Sequence, residues 1–209
     1  MRAARLIAAL LLAIAPSGCT SHGSTVFSLV ENQLDARPAI IFIPGFYGSA
    51  LRAKGAGRRV FLTGIQAYFG SEALSLFQSQ LGTPSGPELE VEGVLGSVPV
   101  VPALYEVNVY GPFFQKLRLL RPDAQIIPLA YDWREDLSLA VAKLDETVQQ
   151  LLSKGCPSIS LVSHSMGGLV ATYYLAYGNQ PPSAGQITWA GAKITTRAVF
   201  FGEIGRAHV

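Results

Sequence analysis

Cysteine and histidine are scarce in this chain of 209 residues, which contains two cysteines and three histidines. No cluster of these residues has the spacing of metal ligands, so the sequence predicts no metal site, and we expect no other cofactor. A Gly-Lys-Ser or Gly-Lys-Thr segment is also missing, which excludes a phosphate-binding loop of the Walker type.

An excess of charge of one sign is missing as well. The formal net charge is +2, and charged residues make up 14% of the chain. Two of the positive charges, Arg2 and Arg5, lie in a predicted leader, so the rest of the chain is close to neutral. A near-neutral surface offers no stripe for a polyanion, and we therefore expect no nucleic-acid partner.

The N-terminal apolar run, residues 6–15, is only ten residues long and too short to span a bilayer. Because it follows two arginines, residues 1–18 are predicted to be a signal peptide. Ser17 and Gly18, immediately before Cys19, resemble a bacterial lipoprotein processing site, in which the cysteine becomes the lipidated N-terminus. The alternative is an ordinary secretory signal with a nearby cysteine.

Lipidation of Cys19 would anchor the protein to a membrane surface in the bacterial cell envelope, on the periplasmic or outer-membrane side. Residues 19–36 are then expected to form a polar tether. Cys156 is the other cysteine, so a lipidated Cys19 leaves no partner for an intrachain disulfide.

The segment Ser163–Gly168 has the pattern of a nucleophile elbow. An apolar strand-like run, residues 159–162, precedes it, and an apolar helix-like run, residues 169–175, follows it. Ser165 would occupy the sharp turn between them and is the candidate nucleophile. Ser163 stands where this motif usually has glycine, so the pattern is a Ser-x-Ser-x-Gly variant.

A second element follows the apolar strand predicted over Ala39–Ile43. The turn that begins with Pro44 and Gly45 could supply a backbone N–H that stabilises an oxyanion together with the N–H of the residue after the nucleophile. The candidate donors are the amides of Phe46 and Met166. The alternative is a simple turn that ends the strand.

A third strand, predicted over residues 124–130, ends in Tyr131, Asp132, Trp133 and Arg134. We interpret Asp132 and Arg134 as a structural ion pair and Trp133 as a packing residue. A helix is predicted to follow, because apolar residues recur at steps of four and three from position 137 to position 151, with Asp136 as its N-cap and Gly155 as its C-terminal stop. The alternation of strands and helices predicts a mostly parallel sheet with flanking helices.

The three motifs, in this order, resemble those of the lecithin:cholesterol acyltransferase-like family over about Pro38–Gly202. That family comprises lipid acyltransferases and phospholipases on an α/β-hydrolase fold. The resemblance implies that Ser165 attacks a lipid ester and forms an acyl-enzyme, from which water or an alcohol takes the acyl group. The alternatives are a general carboxylesterase and a non-catalytic lipid-binding lipoprotein.

The general base that a serine nucleophile needs is hard to find in the sequence. His164 adjoins the nucleophile and is interpreted as a packing residue, because adjacent side chains at an elbow diverge. Glu203 and His208 follow Ser165 in the expected order, but they lie in residues 203–209, which resemble the translation of a sequencing adapter. We therefore predict a non-native tail and a chain that is truncated at its C-terminus and lacks the triad acid and histidine.

The expected domain organisation follows from these assignments. Residues 37–202 are predicted to form the N-terminal portion of an α/β-hydrolase domain that is incomplete at its C-terminus. A Gly/Pro-rich insertion over about residues 57–110 is predicted to be a cap. Its aromatic residues either admit an acyl chain or pack on the sheet, and the sequence does not decide between these roles.

Overall fold

A computed structural model describes residues 25–29, 33–54, 89–101, 105–181 and 186–202. The predicted signal peptide, Cys19, the first part of the predicted cap and the predicted tail at residues 203–209 lie outside the described residues.

Four described strands form a parallel sheet. They are β2 (Ala39–Ile43), β6 (Gln125–Pro128), β7 (Ile159–His164) and β8 (Thr195–Phe201), in the spatial order β6-β2-β7-β8. In the centre, Ala39 lies opposite both Gln125 and Ile159. Because all four strands run the same way, their carboxyl ends meet at one edge of the sheet, where ligands of open α/β sheets bind.

Four described helices accompany these strands. They are α1 (Gly111–Leu120), α2 (Leu137–Ser153), α3 (Gly167–Tyr177) and α4 (Ala190–Ile194). The chain alternates β6, α2, β7, α3, which is the arrangement that parallel strands require. Pro112 lies in the first turn of α1, where its missing N–H costs no hydrogen bond.

The ends of α2 follow directly from its sequence. The Asp136 carboxylate accepts a hydrogen bond from the Ser138 N–H, at 2.8 Å, and caps the first turn. At the other end Gly155 has φ +79°, while the Cys156 N–H donates to the Leu151 carbonyl and the Gly155 N–H to the Leu152 carbonyl. These bonds form a Schellman motif, so the predicted cap and stop are both confirmed.

The core lies on both faces of the parallel sheet. Every residue of β2 is buried, because it is an interior strand and is covered on both sides. On one face, buried residues of α2 such as Leu144 and Leu151 belong to the same apolar cluster as Ile41 and Leu161. On the other face, Phe42 packs with Phe114 of α1.

A second, antiparallel sheet was not predicted. It contains β1 (Thr25–Phe27), β3 (Ser49–Ala53), β4 (Leu89–Val101) and β5 (Tyr105–Asn108), with β4 pairing to the other three. β4 and β5 fall within the segment predicted to be a cap. They share this sheet with β3, which lies outside that segment and directly follows the Pro44–Gly48 turn.

Part of the predicted tether is folded. Thr25–Phe27 forms β1, which pairs with β4, and Leu34 is buried in the main core. The prediction of a polar tether over residues 19–36 is therefore wrong for β1 and Leu34. The apolar side chains of Phe27 and Leu34 pack against residues from distant segments of the chain. The folded part of the chain begins earlier than residue 37.

The structure thus belongs to the mixed α/β class, with a parallel sheet and helices as predicted. None of its described helices has the length and apolar character needed to cross a membrane.

Candidate functional site

Ser165 lies at the turn between β7 and α3, as the sequence predicts. Its φ of +52° is in the left-handed region, which a non-glycine residue rarely adopts. The Ser165 N–H donates to the Phe201 carbonyl at 3.1 Å, and the Ser165 carbonyl accepts from the Gly168 N–H at 2.8 Å. The residue as a whole is partly exposed, which is compatible with access of a substrate to it.

Small residues make room for this turn. A Cβ added at Gly167 would meet the Ile43 carbonyl oxygen and lie 2.6 Å from the Pro44 carbonyl oxygen, so glycine is required for α3 to start against the end of β2. Ser163, which replaces the usual glycine, is fully buried, and its hydroxyl has no hydrogen-bond partner among the described residues. The site therefore has room for the hydroxyl of Ser163, but no hydrogen bond from the described residues compensates for its burial.

The loop after β2 contacts the elbow directly. A Cβ at Gly45 would lie 2.8 Å from Ser165 Cβ and 3.0 Å from His164 Nδ1, so only glycine fits between the two segments. The loop closes with a hydrogen bond from the Gly48 N–H to the Gly45 carbonyl, at 2.9 Å, and Tyr47 has φ +60°. These values are typical of a type II turn with Phe46 and Tyr47 at its centre.

Phe46 and Met166, the two predicted oxyanion donors, line one open cavity of about 820 Å³. Trp133, Arg134 and Leu139 line it too. Two residues from distant parts of the chain thus border the same space, although Ser165 itself is not among the residues that line it. Their role as oxyanion donors remains a prediction.

The segment Tyr131–Arg134 packs against the loop after β2. Tyr131 and Trp133 are both 3% exposed. The Trp133 Nε1–H donates to the Ser49 carbonyl at 3.2 Å, and the indole lies edge-on to the ring of Phe46, with centroids 5.0 Å apart. The Tyr131 hydroxyl donates to the Pro44 carbonyl at 2.8 Å.

Asp132 and Arg134 form an ion pair, as predicted. Arg134 Nε donates to both carboxylate oxygens of Asp132, at 2.9 and 3.2 Å, and the Arg134 N–H donates to Oδ1 at 3.0 Å. Both side chains are mostly buried, at 7% and 12% exposure, so the pair fixes the turn between β6 and α2. Arg134 Nη2 donates to Oδ2 as well, and a carboxylate that accepts four such bonds is not available as a general base for Ser165.

His164 packs against Tyr110 and Phe201. Its Nδ1 lies 2.8 Å from the Tyr110 hydroxyl, and its ring stacks at a tilt on Phe201, with centroids 5.0 Å apart. Burial lowers the pKa of His164, which favours the neutral imidazole. The predicted packing role of His164 fits these contacts.

Sequence reasoning missed Tyr110. Its hydroxyl also accepts a hydrogen bond from the Gly45 N–H at 3.2 Å, and burial raises its pKa. The partners of this hydroxyl lie 65 and 54 residues away in the chain, so no local pattern could have indicated them.

The other candidate residues lie outside the described part of the chain. His164 is the one histidine among the described residues, and His208, Glu203 and Cys19 fall in segments that the structure does not describe. Within the described residues no group of three or more metal-ligating side chains could hold a metal ion.

A further cavity, of about 570 Å³, lies away from Ser165. Residues that precede β2 and β6, such as Arg37 and Ala124, line it together with β1 and β6. We do not assign it to the site, because the candidate nucleophile and the loop after β2 lie at the carboxyl edge of the parallel sheet.

The family model of lecithin:cholesterol acyltransferase matches residues 106–199, somewhat less than half of the chain. The matched range includes Tyr131–Arg134 and the elbow at Ser165, while the loop at Pro44 precedes it. A search of curated proteins found no match.

Proposed function

Because this chain is lecithin:cholesterol acyltransferase-like over residues 106–199, we propose that it is a serine-dependent acyltransferase or phospholipase of lipid esters on an α/β-hydrolase fold. The match to this family model supports lipid acyltransferase or phospholipase activity in general. The order of elements supports the hydrolase fold, since a parallel sheet carries a strand-turn-helix at Ser165 and a turn after β2 at the same edge.

One observation carries the proposal. Ser165 is a partly exposed residue with a positive φ, and a neighbouring loop approaches it so closely that only Gly45 fits. A left-handed serine is costly, and such strain is typical of functional sites. A structural turn after a strand would need neither the strained serine nor the loop packed against it.

In the proposed reaction Ser165 Oγ forms a bond to the acyl carbon of the ester. The oxygen of the carbonyl becomes negatively charged and accepts hydrogen bonds from the amides of Phe46 and Met166, each worth roughly 3 kcal/mol of barrier. Collapse of this intermediate breaks the bond to the leaving alcohol, which takes up a proton. Water or a second alcohol then attacks the acyl-enzyme and regenerates Ser165.

The proton removed from Ser165 needs an acceptor that the described residues do not provide. His164 directs Nδ1 at Tyr110, and the Asp132 carboxylate is occupied by Arg134. We therefore propose that the polypeptide of 209 residues retains the nucleophile and its amides but has little or no turnover, and that the base and the acid lie in sequence beyond the described residues. The predicted tail at residues 203–209 is not proposed to supply them.

The acceptor decides between hydrolysis and acyl transfer. The cavity beside Phe46 and Met166 is open and lined by both apolar and charged side chains, among them Leu139 and Arg134. Such a lining suits an acyl chain next to a polar group, and it admits water as readily as a lipid alcohol. We propose the lipid ester class on this basis and leave the acceptor to experiment.

Lipidation of Cys19 remains part of the proposal and would place the enzyme at a membrane surface of the cell envelope. Metabolic labelling with an alkyne fatty acid tests it. Label that is present in the wild type and lost in Cys19→Ala supports the anchor, whereas unlabelled protein cleaved before residue 19 indicates an ordinary secretory signal.

The activity is tested on the product of the complete gene with phosphatidylcholine vesicles that contain cholesterol or diacylglycerol. Free fatty acid identifies a phospholipase, and new ester identifies an acyltransferase. Ser165→Ala should abolish both products, by about 10⁴-fold or more. The matched control is Ser153→Ala, since Ser153 is an exposed serine at the end of α2.

The same preparation separates the competing functions. Strong preference for short-chain esters over phospholipid would indicate a general carboxylesterase. A protein that binds vesicles but neither turns over esters nor reacts with a fluorophosphonate at Ser165 would be a non-catalytic lipid-binding protein, and the proposal would be wrong.

A further inference from the structure

Tyr110 lies immediately before α1, with its ring buried between the sheet and the elbow. The residue is 7% exposed. Its ring lies edge-on to Phe42 of β2, with centroids 4.8 Å apart, and to His164, with centroids 5.7 Å apart. These contacts fix the ring, so the position of the hydroxyl is fixed as well.

The Tyr110 hydroxyl joins the loop after β2 to the elbow. It accepts from the Gly45 N–H at 3.2 Å and lies 2.8 Å from His164 Nδ1. A phenol carries one proton, so it can accept from Gly45 and donate to Nδ1 at the same time. This arrangement requires neutral His164 with its proton on Nε2. Burial favours it, because it lowers the pKa of His164 and raises that of Tyr110.

A second tyrosine holds the same peptide unit. The Tyr131 hydroxyl donates to the Pro44 carbonyl at 2.8 Å. The Pro44 carbonyl and the Gly45 N–H belong to one planar peptide group, and they point to opposite sides of it. Two buried tyrosines therefore fix the orientation of this peptide.

The next peptide carries the Phe46 N–H. Its carbonyl, that of Gly45, accepts from the Gly48 N–H at 2.9 Å, which directs the Phe46 N–H to the opposite side. Two consecutive constrained peptides thus determine where the Phe46 amide points.

We propose that Tyr110 is a positioning residue of the oxyanion loop, with Tyr131 acting on the other side of the same peptide. The inference rests on the proposed function. Tyr110 contacts no reacting atom. Its hydroxyl holds the segment that carries the Phe46 amide against the residue that precedes Ser165, so the separation between the Phe46 and Met166 amides stays fixed when charge develops on the substrate oxygen.

The kinetic test compares Tyr110→Phe with the wild-type product of the complete gene. With a short-chain p-nitrophenyl ester, kcat should fall about 10- to 100-fold, since a displacement near 1 Å can cost that much, while KM changes by less than about twofold. The affinity for a trifluoromethyl ketone, which mimics the tetrahedral intermediate, should fall by the same factor as kcat/KM. A merely structural role would reduce the amount of folded enzyme without changing this affinity.

Tyr173→Phe is the matched control. The Tyr173 hydroxyl donates to the Gln180 carbonyl at the far end of α3, so kcat and ketone affinity should not change. If Tyr110→Phe does not fold, Tyr131→Phe tests the same peptide from its other side and should reduce kcat and ketone affinity in parallel.

A measurement without turnover completes the test. Hydrogen exchange of the Gly45 amide in the folded chain should be roughly two- to tenfold faster in Tyr110→Phe, because the amide loses its acceptor. Unchanged exchange, or unchanged kcat and ketone affinity in an enzyme that Ser165→Ala inactivates, would overturn the inference. If Ser165→Ala leaves ester turnover intact, the proposed function fails instead, and exchange at Gly45 still decides whether Tyr110 holds the loop.

Discussion

Gly45→Ala should damage catalysis more than stability. The new Cβ would lie 2.8 Å from Ser165 Cβ, 3.0 Å from His164 Nδ1 and 3.1 Å from the His164 carbonyl oxygen, whereas ordinary contacts begin at 3.4 Å. All three clashes are with the elbow, so the loop must move away from it by at least about 0.6 Å. That movement separates the Phe46 amide from the Met166 amide.

The expected loss in kcat is about 10²-fold, with 10³-fold as the limit if the Phe46 donor is lost completely. The overpacking should lower the free energy of unfolding by about 1–3 kcal/mol. Ester turnover by the product of the complete gene gives the first number, and urea unfolding gives the second.

Gly155→Ala is the matched control for this substitution. Gly155 has φ +79° and nothing within 4 Å of an added Cβ, so alanine introduces backbone strain alone. It should lower the free energy of unfolding by about 1–2 kcal/mol and leave kcat unchanged. If Gly45→Ala also keeps kcat within about twofold while losing stability, the loop does not contribute to the transition state and the reasoning is refuted.

Four other predictions concern stability. Leu144→Ala, at a fully buried position, should lower the free energy of unfolding in urea by about 2–5 kcal/mol. Arg134→Ala leaves the carboxylate of Asp132 buried without its cation and should cost about 3 kcal/mol by the same assay. The bond from the Ser138 N–H holds the pKa of Asp136 below 3.8. The difference in melting temperature between wild type and Asp136→Ala should therefore narrow as pH falls below about 4. Asp136→Asn should cap the helix at every pH. Burial lowers the pKa of His164 below 6.5, so near and below that pH this imidazole binds more protons in the unfolded state than in the folded state. The melting temperature should therefore fall on acidification below about 6.5, and the fall should be smaller in His164→Gln.

The parallel sheet could be predicted because its strands are encoded locally. β2 is a continuous apolar run that starts after Pro38 and ends before Pro44, and its predicted bounds agree with the structure. The bounds of α2 follow from Asp136 and Gly155, whose capping chemistry is visible in the sequence.

The antiparallel sheet could not be predicted, since its central strand carries the residues that usually break strands. Gly93, Gly96 and Pro99 all lie within β4 and suggest a loop. In the structure Gly93 and Gly96 allow β1 to approach, since an added Cβ at either position would lie within 3 Å of Phe27. Besides the adjacent β5, the strand pairs with β1 and β3, which lie at least 36 residues away in the chain, and no local pattern encodes these distant pairings.

The candidate site likewise contains residues that the sequence predicts and one residue that it does not. Ser165 and the loop at Phe46 are recognisable as motifs, because each is a short segment with its own turn chemistry. Tyr110 is not recognisable, because its importance depends on two hydrogen bonds to segments that are distant in the chain.

The most direct test of the central claim is a crystal structure of the complete gene product after reaction with a fluorophosphonate. The account predicts a covalent bond from the phosphorus to Ser165 Oγ, with the phosphoryl oxygen about 2.7–3.1 Å from both the Phe46 and the Met166 amide nitrogens. A phosphoryl oxygen that points into solvent or toward other donors, or an adduct on another residue, would contradict it.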